Sequence, residues 1–167
     1  MKLIKPTAIP DNVFKLIGDD WMLITAGRPD SFNTMTASWG FMGVLWHRTV
    51  AVCFIRPQRY TFGFADTSDG YSLSFFPEKY RKALQFCGTM SGRDCDKIKE
   101  TGLTPFTTGA GNIAFEEARL VIDCRKLYSD DLKESAFIVP ELISKNYPAR
   151  DFHRFFIGEI VGVYLND

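Results

Sequence analysis

Two histidines, no C-x-x-C pair and no surplus of either charge remove several chemistries before any motif is read. Cys53, Cys87, Cys95 and Cys124 are irregularly spaced and His47 lies far from His153, so no zinc site is expected. Without a secretion signal, the thiols are expected to be reduced. Twenty basic residues against twenty acidic ones leave no field of the kind that unspecific nucleic-acid or anionic-membrane binding needs. Neither partner is expected, and any anion site has to be local. No long apolar run follows Lys2 and Lys5 to make a signal peptide or a membrane span, so a cytoplasmic protein is expected. G-x-G-x-x-G and P-loop patterns are missing, as are internal repeats, which argues against doubly wound nucleotide-binding and solenoid architectures.

What is abundant is phenylalanine. Fifteen of them imply a core built around large rings. A chain of 167 residues matches one domain, expected to span residues 1–167.

Strands come first along the chain. Trp21 to Ala26 is a short apolar run stopped by the turn-forming Gly27-Arg28-Pro29-Asp30. Phe32 to Gly40 and Thr49 to Ile55 also read as strands, paired as a loose hairpin across a backbone excursion at Gly40 to Gly43. Tyr71 to Phe76 is another. Pro77 then starts a helix through Phe86, with Tyr80, Ala83, Leu84 and Cys87 on its inner face and Gly88 as its stop. Asp94 is expected to cap a short helix through Glu100 that ends at Gly102. Past a loop at Pro105 to Gly111, strands are expected at Ile113 to Phe115, Ala118 to Lys126 and Phe155 to Leu165, with a short helix over Val139 to Tyr147. The fold class is therefore mainly β, a barrel with short helices.

Three stretches carry the chemistry: Asn33-Thr34-Met35-Thr36-Ala37-Ser38-Trp39, Arg56-Pro57-Gln58-Arg59-Tyr60-Thr61, and Cys87-Gly88 followed by Ser91-Gly92-Arg93-Asp94-Cys95-Asp96-Lys97. Together they resemble the flavin reductase-like family. The first two are similar to its N-x-M-T-x-S-W and R-P-x-R-Y-T signatures, and the third to the S-G-R-D-x-D-K turn of its flavoredoxin branch. The resemblance runs from Pro10 to Tyr164 and takes in the terminal Phe152 to Ile160. It implies an FMN-binding split β-barrel that forms a homodimer, with the cofactor near the subunit interface.

The residue types agree with that implication. A phosphate monoester carries about −1.5 to −2 charge near neutral pH and needs cations, hydroxyls or free backbone N–H groups. Arg56, Thr36, Ser38, Thr61, Ser91 and Lys97 are suitable donors. Arg56 ranks first because it ends a strand, the competing reading being a surface salt bridge. Met35 to Trp39 is expected beside the flavin ring edge where negative charge develops. Asn33, Thr34, Pro57, Tyr60, Cys87, Gly88, Gly92 and Arg93 complete the expected cofactor site, Cys87 packing or touching the cofactor and not acting as a redox thiol. Trp39 and Trp46 have two readings, packing on the isoalloxazine or, preferred for either taken singly, packing in the core. His153 has two readings, a nicotinamide-receiving residue as in related reductases or a hydrogen-bonded structural group.

Three functions remain open. The first is an oxidoreductase passing hydride from NADH or NADPH to FMN and on to a small-molecule or protein acceptor. The second is a flavoredoxin-type electron carrier without its own nicotinamide site, and the third a non-enzymatic flavin-binding module.

Overall fold

The computed structural model describes residues 1–166. β1 (Lys2–Ile4) precedes a short helical stretch containing α1 (Val13–Lys15), where the Asn12 side chain accepts from the Phe14 and Lys15 amides. β2 (Met22–Arg28), β3 (Ser31–Ala37), β4 (Gly40–Leu45) and β5 (Arg48–Ile55) follow, then α2 (Tyr60–Thr67), β6 (Gly70–Phe75) and α3 (Arg81–Thr89). The remainder is α4 (Lys97–Thr101), β7 (Pro105–Thr107), β8 (Ile113–Phe115), β9 (Leu120–Asp131), α5 (Glu141–Asn146) and β10 (Arg154–Leu165). The mainly β class with short helices is as the sequence implied.

The main sheet is antiparallel and runs β3-β2-β6-β9-β10-β5-β4, with β1 on the free end of β10. Chain connectivity shows that it curls. β3 and β4 are its two outermost strands, yet only Ser38 and Trp39 separate Ala37 from Gly40. That step spans at most about 11 Å, whereas a flat sheet would hold the outer strands about 29 Å apart. The edges therefore meet without a ladder between them, and this seam is where the barrel is split.

Alternation places the core. On β2, Met22, Ile24 and Ala26 point into the interior cluster with Leu73, Phe75, Ile122 and Phe156, while Leu23 points outward. The outward face is covered too: Leu84 and Cys87 of α3 and Ala114 and Phe115 of β8 pack on Leu23 and Val121. Every residue of β6 is accordingly buried.

Several expectations shift. The excursion at Gly40 to Gly43 is β4 itself, paired with β5 from Gly40↔Cys53 to Leu45↔Arg48. Gly40 permits this, since a Cβ there would lie 2.6 Å from the Val52 carbonyl oxygen. The strand ending at Ala37 pairs with β2, not with β5. The hairpin turn is Trp46-His47, with φ 51° and 58°, a left-handed pair usually marked by Asn-Gly and so illegible in this sequence. Trp46 and Trp39 are 55% and 43% exposed, not core. α3 runs through Gly88 to Thr89, because a missing Cβ there lets Thr36 pack against the helix. Asp96, not Asp94, caps α4, accepting from the Ile98 and Lys99 amides at 3.1 Å and 3.2 Å. Gly102 ends that helix at φ 67° as expected. No helix among the described residues is long and apolar enough to cross a membrane.

Candidate functional site

The seam opens into two hollows that share one residue. The first, about 280 Å³, is lined by Met35, Thr36, Ala37, Ser38 and Trp39 on one side and by Phe54, Arg56 and His153 on the other. The second, about 130 Å³, lies between Asn33, Tyr60 and Thr61 and the turn Ser91-Gly92, with Thr89 and Lys97 in its wall. Arg59 lines both. A groove of about 670 Å³ continues past Asn33, Tyr60, Gly92 and Lys97 to Thr34 and Arg93. A larger hollow, about 740 Å³, lies elsewhere and contains none of the expected site residues.

The two arginines of one motif have opposite environments. Arg56 is half-buried, paired with Asp151, donating to the Asn146 carbonyl at 2.8 Å and lying 5.2 Å over the Tyr147 ring. Two of its five N–H groups are thus used within the protein, and it lines the first hollow but not the second. Arg59 has no carboxylate partner among the described residues. The one hydrogen bond of its side chain among the described residues is a long one, 3.5 Å to the Cys87 carbonyl, and burial lowers its pKa. The guanidinium nevertheless stays charged. Lys97 is 5% exposed and also lacks a carboxylate among the described residues; its ammonium donates to the Thr34 and Cys87 carbonyls at 2.8 Å and 2.9 Å. Burial lowers its pKa, with the thiol of Cys87 opposing and Arg59 adding to the shift. Arg93 stacks 4.7 Å over the Tyr60 ring and reaches the Gln58 carbonyl at 3.4 Å.

Hydroxyls complete the second hollow. Asn33 donates to the Thr61 hydroxyl at 2.7 Å, and the Ser91 hydroxyl accepts from the Arg93 amide at 3.2 Å. Each acceptor therefore keeps its own O–H to give. Gly92 is needed because a Cβ there would lie 2.0 Å from the Asn33 side-chain oxygen. Thr34 is turned into the protein, its hydroxyl 2.9 Å from that of Thr25, and Thr36 donates to the Leu84 carbonyl. Pro57 is exposed and lines neither hollow of the seam. Gly88 and Cys87 also stay behind the walls, and burial pushes the Cys87 thiol up to about 11, far from a reactive thiolate.

His153 is 8% exposed, with Trp39 at 5.0 Å between ring centroids. Its pKa drops to about 4 through burial first and Arg56 second, with Asp151 opposing, so the ring is neutral at pH 7. Sequence reasoning quoted Arg59 in its motif but passed over it. The available signal was position: it directly precedes α2, beyond the strand end that Arg56 occupies.

The fold class is a split, mainly antiparallel barrel with a cationic, hydroxyl-lined cleft at its seam. The sequence profile named Flavin reductase like domain matches residues 16–167, and the chain belongs to that family. The FMN-binding protein from Thermus thermophilus superposes with TM-score 0.70 at 19% identity, covering 100% of this chain and 83% of that one. Flavoredoxin from Methanosarcina acetivorans gives 0.69 at 21%, covering 100% and 77%. The flavin reductase PheA2 gives 0.63 at 16%, covering 89% and 80%. These likenesses carry the fold. Among curated proteins none matches.

Proposed function

We propose that the chain is a single-domain FMN-binding oxidoreductase that takes hydride from NADH or NADPH. The observation that carries this reading is the convergence of Arg59 and Lys97, without a carboxylate among the described residues, on a hollow whose Thr61 and Ser91 hydroxyls are free to donate. A buried charge is ordinarily paired, so two unpaired cations side by side fit a dianionic phosphate group.

The other hollow suits the ring end of the same ligand. β3 is an edge strand whose outer N–H and C=O groups have no ladder partner, and Met35 to Trp39 bring those groups to the cleft. When bound, FMN supplies the hydride-accepting ring. Arg59 and Lys97 neutralise its phosphate, Thr61 and Ser91 orient it, and His153 and Trp39 border the space where a hydride donor docks.

At about 280 Å³ the ring-end hollow is just below the roughly 300–1,000 Å³ of common small-molecule sites. A second subunit would close it. Phe41, Val44, Leu45 and Trp46 form an exposed apolar hairpin beside the seam, which supports a homodimer with the cofactor near its interface.

The test is reconstitution followed by anaerobic mixing. Arg59→Ala should weaken FMN binding about 10- to 100-fold, as for a lost charged hydrogen bond, and riboflavin binding little. Equal loss of both ligands counts against the phosphate role. Rapid bleaching of bound flavin by NADH or NADPH supports the reductase. A second reading, a flavoredoxin-type carrier reduced by a protein donor, is favoured by the apolar Ile138, 95% exposed, with Val139 and Leu142 on the way into α5. It predicts bleaching by a protein donor and none by nicotinamides. Failure to take up FMN ends both readings.

A further inference from the structure

His153 reaches the ring-end hollow, but the residue that governs its chemistry lies behind it. Tyr147, 3% exposed, follows the last turn of α5, its amide donating to the Ile143 carbonyl at 2.7 Å. Its ring is fixed by Phe152 at 4.8 Å, Phe137 at 5.9 Å and the Arg56 guanidinium above it. The Tyr147 hydroxyl lies 2.9 Å from Nδ1 of His153.

Which atom donates follows from what each can do. Burial and Asp151 raise the pKa of the phenol and Arg56 opposes them, leaving a protonated hydroxyl. Its proton needs an acceptor, because an unsatisfied buried donor costs about 1–3 kcal/mol. Nδ1 of His153 is the only side-chain or carbonyl partner of that hydroxyl among the described residues. An Nδ1 that accepts leaves the imidazole proton on Nε2. Nε2 has no hydrogen-bond partner among the described residues and is not a sealed buried atom, while His153 lines the hollow.

We propose that Tyr147 is a positioning residue that locks His153 in its Nε2–H tautomer, so that the ring presents a hydrogen-bond donor to an acceptor oxygen on the hydride donor, such as a nicotinamide carboxamide. The inference rests on reading this hollow as the place of hydride exchange. It resolves the two roles open to His153 into one, since the bond that makes the histidine structural also sets its outward face. Trp39 at 5.0 Å and Phe54, edge-on at 6.3 Å, hold the ring plane.

Two-bond ¹⁵N–¹H correlation on protein labelled at histidine reads the tautomer directly. With only two histidines in the chain, His47→Asn in the exposed turn leaves the His153 signals alone. At pH 7 Nδ1 should appear as the bare nitrogen and Nε2 as the protonated one. Tyr147→Phe keeps the aromatic packing and should give mixed or reversed tautomers. In the FMN-loaded enzyme the same variant should raise KM for the nicotinamide about fivefold, the worth of one neutral hydrogen bond, with FMN affinity unchanged. A protonated Nδ1 in the parent, or a spectrum unmoved by Tyr147→Phe, overturns the lock. A tautomer shift without a change in KM overturns its role in receiving the donor. Failure of the flavin reading itself shows separately, as parent protein that takes up no FMN while its tautomer spectrum is as expected.

Discussion

On the wall made by β6, β9 and β10, the Tyr71 hydroxyl lies 2.7 Å and 3.0 Å from the Ala51 and Phe156 carbonyls, in a core shared with Cys53, Cys124 and Phe156. At the seam between β3 and β4, Arg59 and Lys97 stand without carboxylates among the described residues and Trp39 is 43% exposed. On the wall Tyr71, Ser72 and Asp123 find their partners within the protein, the Ser74 hydroxyl being the exception among the described residues. The seam keeps donors unspent. If the seam is the cofactor site proposed above, stability should rest on the wall and ligand binding on the seam, and substitutions in the two should separate those properties.

The largest effect is expected on the wall. Tyr71→Ala removes a fully buried ring and its hydroxyl, and should cost about 3–5 kcal/mol of unfolding free energy, as large-to-small changes in aromatic cores do. Denaturant unfolding checks it. A loss near that of a surface substitution would mean the wall is not what holds the barrel.

Next in size is a pH effect at the seam. In the unfolded chain His153 takes its proton near 6.5, whereas in the folded protein burial, then Arg56, hold it to about 4, with Asp151 opposing. The unfolded state thus binds more protons throughout that interval. The contribution is complete above pH 6.5 and is lost as pH falls toward 4, up to about 3 kcal/mol. Unfolding curves from pH 7 to 4 should therefore fall more steeply for the parent than for His153→Gln. Parallel slopes would remove His153 from the account.

How much of this contrast the sequence shows depends on the region. Most of the wall is readable because its strands are apolar runs: Tyr71 to Phe76 and Phe155 to Leu165 lie within a residue of β6 and β10, whereas Ala118 to Lys126 stops short of the polar end of β9 at Asp131. The seam was less readable. Its hairpin turns on two non-glycine left-handed residues, Trp46 and His47, and α2 carries Gly63 and aromatic residues with no capping side chain. Motif resemblance supplied the site as a set of residues, and most of them do line the cleft. It carries no sign of Asp151, 95 residues from Arg56, whose carboxylate pairs with that arginine and not with Arg59.

Smaller again is the effect of removing the second cation. Lys97→Met deletes a buried ammonium and its two bonds to the Thr34 and Cys87 carbonyls, so desolvation relief and lost hydrogen bonds oppose each other. Stability should move by less than about 1 kcal/mol. FMN affinity should fall about tenfold, by titration of the flavin. Loss of folding with binding intact would exchange the roles assigned to wall and seam.

The least effect is expected at the hollow of about 740 Å³ away from the seam. Arg125 lines it and pairs with Glu159 at 2.5 Å, but it is an exposed side chain and Arg48 holds the same carboxylate. Exposed pairs contribute about 0–1 kcal/mol, and here a second arginine remains after one is removed. Arg125→Ala should therefore change stability by less than about 0.5 kcal/mol and leave FMN binding untouched. What separates this hollow from the smaller ones at the seam is that its one cation without a carboxylate among the described residues, Arg28, is exposed, whereas Lys97 is buried. A drop in FMN affinity on Arg125→Ala would show that volume, not buried unpaired charge, marks the binding site.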